Sequence, residues 1–239
     1  MSRAFVAGAT GYTGREVVRL LVEAGIQTIA HVRPDSPRRA HWEESFGALG
    51  ATVDSTPWDE DAMAARFQTI QPMCVFGLLG TTQKRGRVAR KEGREETYES
   101  VDYGLTALLI RAAQALERPP RFIYLSALGV SAKAGTAYAK ARWKTEELLR
   151  QSDLPHVIAR PGFIPGTDRD DSRTGEYIGA KTLDGVLALV GVLGGKRTQQ
   201  RYQSISNIKL ARALVTAALD EASPNRVLAS HDLQRLGAG

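Results

Sequence analysis

Val6-Ala7-Gly8-Ala9-Thr10-Gly11-Tyr12-Thr13-Gly14-Arg15-Glu16-Val17-Val18 is the stretch that decides the fold. A short apolar run, Ala4 to Ala7, enters it, and a helical pattern leaves it. Glycines at 8, 11 and 14 stand between the two. Such a turn between a first strand and a first helix is built to receive a phosphate. Gly8 permits a tight turn, Gly11 removes a side chain where backbone must approach a pyrophosphate, and Gly14 lets the helix lie close to the strand. The helix N-terminus then offers free N–H groups to an anion. The spacing is G-x-x-G-x-x-G rather than G-x-G-x-x-G, so its weight comes from its place between strand and helix.

Outward from this turn, strand and helix signals alternate. Apolar runs at Ala4–Ala7, Thr28–Val32, Met73–Leu79, Arg121–Ser126 and His156–Arg160 read as buried parallel strands. A weaker run lies at Ala51–Asp54, and a last candidate is Arg226–Ala229. Helical patterns fall at Gly14–Ala24, Asp61–Thr69, Ser100–Leu116, Tyr138–Gln151, near Lys181–Leu193 and at Asn207–Leu219. The alternation predicts an α/β fold, a doubly wound parallel sheet of Rossmann type covered on both faces. After Arg160 the pattern changes to a loop and a charged stretch. Residues 162–206 therefore read as a small C-terminal substrate cap on a single 1–239 domain, because ligands in such sheets bind beyond the strand ends.

Composition narrows the classes. With 43% hydrophobic and 24% charged residues in 239, this is an ordinary globular chain with enough length for a full core. The single cysteine, Cys74, cannot form an internal disulfide, which points to a reducing, cytoplasmic setting. A strand signal starts almost at the first residue, where a signal peptide is not expected. The Leu183–Leu193 stretch contains Asp184 and is too short to span a bilayer, so no membrane partner is expected. The net charge of +6 is concentrated between Lys84 and Arg94, but without interleaved aromatics and with Glu92, Glu95, Glu96 and Glu99 nearby. It reads as a solvated loop and helix start rather than a nucleic-acid surface. His31, His41, His156 and His231 have no partners at metal spacing, so no metal site is expected.

With the glycine turn, the alternation and Tyr138 in view, the chain resembles the short-chain dehydrogenase/reductase superfamily. Within it, the likeness is to the atypical NmrA-like group and its Tat-interacting-protein class. The stretches that carry it are Gly8 to Gly14, Leu79-Gly80-Thr81-Thr82, Val101-Asp102-Tyr103, Ser126-Ala127-Leu128-Gly129, Tyr138-Ala139-Lys140-Ala141, Arg160-Pro161-Gly162 and His231-Asp232-Leu233. The resemblance implies a nicotinamide cofactor held by Gly8, Thr10, Gly11, Tyr12, Thr13 and Gly14, by the backbone and hydroxyls of Leu79, Gly80, Thr81 and Thr82, and by Pro161, Gly162, Phe163 and Ile164 near the nicotinamide. An ST-turn is the plainer reading of the two threonines. Arg33, after the second strand, favours NADP(H) over NAD(H), because its planar fork suits the 2′-phosphate. Arg38 and Arg39 add charge, and Asp35 is a turn residue after Pro34. Trp58 with Thr56 and Pro57 stands where an adenine edge would lie.

In the resembled superfamily a serine orients the substrate carbonyl, a tyrosine supplies a proton, and a lysine four residues later holds the ribose. Ser126 and Tyr138 occupy the first two places, but Arg142 stands where the lysine belongs. Lys140 is turned roughly 200° away on the helix and cannot substitute. Asp102 opens the long helix and either caps it or supports the site, with capping the plainer reading. Two functions follow. One is an NADP(H)-dependent reductase of a small carbonyl compound using Ser126, Tyr138 and Arg142. The other is a cofactor-binding redox sensor or regulatory protein, with a protein partner and little catalysis. Sugar-nucleotide epimerisation fits less well, because the cap is small. Either reading allows a monomer or a homodimer.

Overall fold

The computed structural model describes residues 2–165, 204–220 and 225–238. Seven parallel strands form one sheet: β1 (Arg3–Ala7), β2 (Gln27–His31), β3 (Thr52–Asp54), β4 (Cys74–Gly77), β5 (Arg121–Leu125), β6 (His156–Arg160) and β7 (Arg226–Ala229). Their order is β3-β2-β1-β4-β5-β6-β7. The order reverses between β1 and β4, which pair from Ala4 with Cys74 to Ala7 with Gly77. This is the Rossmann-type arrangement, and it opens a crevice beyond the carboxyl ends of β1 and β4.

The two faces of the sheet are sorted residue by residue. Ala4 and Val6 of β1 belong to one core, with Val17, Val18 and Leu21 of helix α1 (Tyr12–Glu23). Phe5 and Ala7 belong to the other, with Met63 and Phe67 of α3 (Glu60–Ile70) and Leu109 of α5 (Thr106–Gln114). Side chains alternate across a strand, so a run that is apolar at every position feeds both layers. Cys74 is fully buried in β4, and burial pushes its thiol up to about 12. α1 stops at Gly25, whose φ of +72° lets its N–H reach the Val22 carbonyl.

Five features depart from the sequence reading. α1 starts at Tyr12, not Gly14. Helix α2 (Arg39–Leu49) was not foreseen, and it buries only Trp42 and Phe46. The basic stretch forms a full helix, α4 (Gln83–Lys91), that buries Ala89 alone. The long helix expected from Ser100 is a π-helical segment, Tyr98–Leu105, followed by α5. A short terminal helix, Ser230–Leu236, follows β7. Helix α6 (Ala137–Gln151) and helix α7 (Asn207–Leu219) lie where they were expected. The helical run near Lys181–Leu193 and most of the 162–206 cap lie outside the described residues. Among the described residues no helix is long and apolar enough to cross a membrane, and none group as a metal site.

Candidate functional site

A cleft of about 670 Å³ occupies the crevice between β1 and β4. Gly8, Thr10, Gly11, Tyr12, Thr13 and Gly14 form its floor. Gly8 has φ +83°, and a Cβ on it would stand 2.6 Å from the Leu78 carbonyl oxygen. A Cβ on Gly14 would stand 2.1 Å from the Gly8 oxygen. Both glycines are thus required by backbone-to-backbone contact. Gly11 is the N-cap of α1 and makes no side-chain cap bond, and the first turn of the helix, Tyr12 to Arg15, lines the cleft. The Tyr12 hydroxyl donates to the Pro165 carbonyl at 3.4 Å, and buried Thr13 packs behind the turn.

One end of the cleft is rich in arginine. Arg33 lies past β2 and lines it, and its Nε stands 3.5 Å from Asp35 Oδ1. Asp35 is the turn residue expected after Pro34, in a turn closed by the Ser36 N–H on the Arg33 carbonyl at 3.1 Å, and it also lines the cleft facing Arg33. Arg38 lies over the Trp42 ring, 4.8 Å from its centroid. Arg94 also lines this end, its charge reinforced by Glu92 first and to a smaller degree by Glu96 and Asp35. His31 is buried, and desolvation lowers its pKa despite its 2.8 Å hydrogen bond to the Thr56 carbonyl. A neutral ring donates Nε2–H there. Its ring lies 4.4 Å from that of Trp58, another cleft residue.

At the end of β4 the protein's own bonds take up much of the polar chemistry. Leu79, Gly80, Thr81 and Thr82 all line the cleft. Thr82 is the N-cap of α4, accepting from the Arg85 N–H. The Thr81 hydroxyl donates to Glu96 Oε1 at 2.5 Å, and Arg85 Nε approaches the same oxygen at 3.0 Å. Asp102 is fully buried inside the π-helical turn and is not a cap; Thr97 and Ser100 form the capping box instead. Asp102 Oδ2 accepts from the Thr81 N–H at 2.9 Å, and Oδ1 lies 2.8 Å from Arg142 Nη2. A Cβ on Gly80 would come within 2.7 Å of Arg142 Nη2, so Gly80 makes room for this ion pair.

Arg142 is the hub. Its Nη2 donates to the Leu79 carbonyl at 3.0 Å, and its Nη1 donates to the Leu125 carbonyl and, at 3.5 Å, to the Tyr124 hydroxyl. The guanidinium therefore ties the end of β4 to the end of β5. Burial alone would lower the Arg142 pKa, but Tyr124, Tyr138 and Asp102 outweigh it and raise the net value. Its Nε is buried with no hydrogen-bond partner among the described residues. Burial likewise raises the Tyr124 pKa, so its hydroxyl keeps its proton.

Ser126, Tyr138 and Arg142 all line the cleft. Tyr138 is half-buried, edge-on to Tyr98 with centroids 5.3 Å apart, and Arg142 lies 5.2 Å from its ring centre. Ser126 departs from expectation. Its hydroxyl donates to Glu146 Oε1 at 2.5 Å. Glu146 is fully buried and also receives Arg150, at 2.5 Å, and Arg160. A carboxylate held between two guanidinium groups can only accept, so the serine proton is directed inward. Toward the cleft Ser126 then presents lone pairs, which cannot polarise a carbonyl oxygen. Sequence reading missed Glu146, because its meaning depends on α6 meeting the ends of β5 and β6. Beyond β6, Ile164 lines the cleft, but Pro161, Gly162 and Phe163 do not. The Phe163 carbonyl accepts from the Ile205 N–H, and the Pro161 carbonyl from the Leu128 N–H.

These features fit a dinucleotide. The cleft lies in the usual range for small-molecule sites, roughly 300–1,000 Å³. Its floor is a glycine cradle that Cβ atoms would fill. The family model described as NAD(P)H-binding matches residues 8–222. The mitochondrial NADH dehydrogenase (ubiquinone) 1 alpha subcomplex subunit 9 of Arabidopsis thaliana is 28% identical over 224 residues, covering 92% of this chain and 51% of that protein. The chain thus spans about half the length of this curated relative. Among solved structures, a Bacillus halodurans protein assigned as an NAD-dependent epimerase/dehydratase superposes with a TM-score of 0.67 at 16% identity, covering 98% of this chain and 99% of that one. The Bordetella bronchiseptica enzyme WbmH, solved with NAD+, gives 0.65 at 17% identity, covering 96% and 76%. At these identities the likeness is one of fold.

Proposed function

This chain belongs to the NAD(P)H-binding family, and from that premise we propose that it holds NADP(H) in the β1–β4 cleft as a redox-sensing or regulatory protein with little turnover of its own. One observation carries the choice between sensor and reductase. The side chain in the place of the superfamily lysine, Arg142, has both Nη atoms bound to Leu79, Leu125, Tyr124 and Asp102. A lysine there would be a mobile point charge free to hold a ribose. Arg142 is a fixed strut with one N–H left over. The Ser126 proton, aimed at Glu146, supports the same reading.

The residues proposed to hold the cofactor are the glycine turn and the α1 N-terminus for the pyrophosphate, and Arg33 with Arg38 for the 2′-phosphate. Leu79 and Gly80 line the ribose side, and Ile164 packs near the nicotinamide. When bound, the nicotinamide supplies a hydride. The paired loss of the lysine and of a free serine donor leaves Tyr138 as the proton source, and this favours slow carbonyl reduction as the second reading. A reducing, cytoplasmic-type setting belongs to the proposal, on the ground of one buried cysteine. The relative is named as mitochondrial.

The test measures binding and turnover on one preparation. Calorimetry should give NADPH affinity in the micromolar range or tighter, with NADPH oxidation across aldehydes and ketones near background. Rapid turnover of any simple carbonyl would replace this reading with the reductase.

A further inference from the structure

Beside the cleft lies a second cavity of about 330 Å³. It shares the Thr81, Thr82 and Glu96 wall with the cleft. Its far side is α4, from which Arg87 and Arg90 line it. Three residues apart on a helix, they share one face. Among the described residues neither has a carboxylate within ion-pair distance, although their neighbours Arg85 and Arg94 each do. Tyr98 closes the cavity opposite, and the same ring meets Tyr138 of the cleft edge-on at 5.3 Å. Gly86 makes the wall possible, because a Cβ there would come 2.6 Å from the Glu96 carbonyl oxygen.

We infer that this cavity is a subsite for the anionic head of a compact, ring-bearing acid. Arg87 and Arg90 hold the carboxylate or phosphate, Tyr98 packs against the ring, and the ligand's other end meets the cleft along the shared wall. The volume sits at the small end of ligand sites, which excludes a second nucleotide. Two uncompensated guanidiniums on one face favour an anion and disfavour a neutral or cationic ligand. The ligand's role beside the cofactor rests on the cofactor reading, but its capture by Arg87 and Arg90 does not.

The probes are phenylglyoxylate, its methyl ester, and phenyl phosphate, titrated calorimetrically into NADPH-saturated protein. At least one of the two acids should bind saturably, and the tighter identifies the preferred head group. The ester should bind at least tenfold more weakly than the acid. Arg87→Gln with Arg90→Gln, both exposed helical sites, should weaken the acids at least tenfold and leave NADPH affinity unchanged. The proposal is overturned by equal binding of acid and ester, by an unaffected double variant, by no saturable binding of either acid, or by displacement of the acid by NADPH. Failure of NADPH itself to bind, with the acids still captured through Arg87 and Arg90, would sink the cofactor reading and leave this one standing.

Discussion

Arg142 Nη2 and Asp102 Oδ1 lie 2.8 Å apart where neither side chain is more than 7% exposed. The pair joins four elements: the π-helical turn, α6, and, through the Arg142 carbonyl contacts, the ends of β4 and β5. Its removal in halves should be costly. Asp102→Ala leaves a buried cation with no counter-charge and should lower unfolding free energy by about 3–5 kcal/mol. Urea titration measures this, and a loss below about 1 kcal/mol would show the pair to be incidental.

Arg142→Lys should exchange stability for turnover. An ammonium cannot reach Leu79, Leu125 and Asp102 together, so the urea midpoint should fall. The freed charge is then available to the cleft, and NADPH oxidation should rise above the parent. If the parent is instead an efficient reductase, Tyr138→Phe should cut its rate by roughly 10²–10⁴ with cofactor affinity intact.

NADPH should bind more tightly than NADH, and Arg33→Ala should narrow the difference. Asp35→Ala should act in the opposite sense. It releases Arg33 from an exposed pair of the kind worth about 0.2–1 kcal/mol, so NADPH affinity should rise by up to about fivefold. Parallel titrations with both cofactors decide, and equal affinities in the parent would reject the preference.

The glycines should separate by function. Gly14→Ala drives a Cβ into the Gly8 oxygen and should unfold or markedly destabilise the domain. A Cβ on Gly11 would meet the same oxygen at 3.1 Å, a contact that a small shift relieves. Gly11→Val should therefore stay folded and lose NADPH binding, as circular dichroism and calorimetry together would show.

Acid should weaken the fold through its buried histidines. Desolvation lowers the pKa of both His31 and His156 below the ordinary 6.5. The unfolded chain then binds more protons than the folded one between each lowered value and 6.5, so stability rises with pH through that window and is level above it. Denaturant titrations at pH 5.5 and 7.5 should show this loss, and His31→Gln should reduce it.

The sheet was legible because its strands are buried on both faces, and β1, β4, β5 and β6 show this as unbroken apolar runs. The glycine turn was legible from its place between an apolar run and a helical pattern rather than from its spacing. Helices α2 and α4 were not: each buries one or two side chains, too few to imprint a helical period. The π-helical turn leaves no periodic mark over eight residues, so of the two roles open to Asp102 the sequence favours the cap, which Thr97 in fact provides. The positions of Ser126, Tyr138 and Arg142 could be read from their spacing. Their hydrogen bonds could not, because Leu79, Leu125 and Glu146 reach them only through the folded sheet.

The contact between Gly8 and Leu78 has a bearing on the order of folding. The glycine turn is finished by the carbonyl of Leu78, just past β4 and seventy residues on in sequence, after β2 and β3 have been made. Such distant pairings form late and slowly. A nascent chain that has emitted its glycine motif, its first helix and its neighbouring strands should still lack a nucleotide cradle, which closes only when β4 docks. Cofactor capture would then report completion of the central sheet, and a nucleotide present during synthesis would favour the finished register over partly assembled ones.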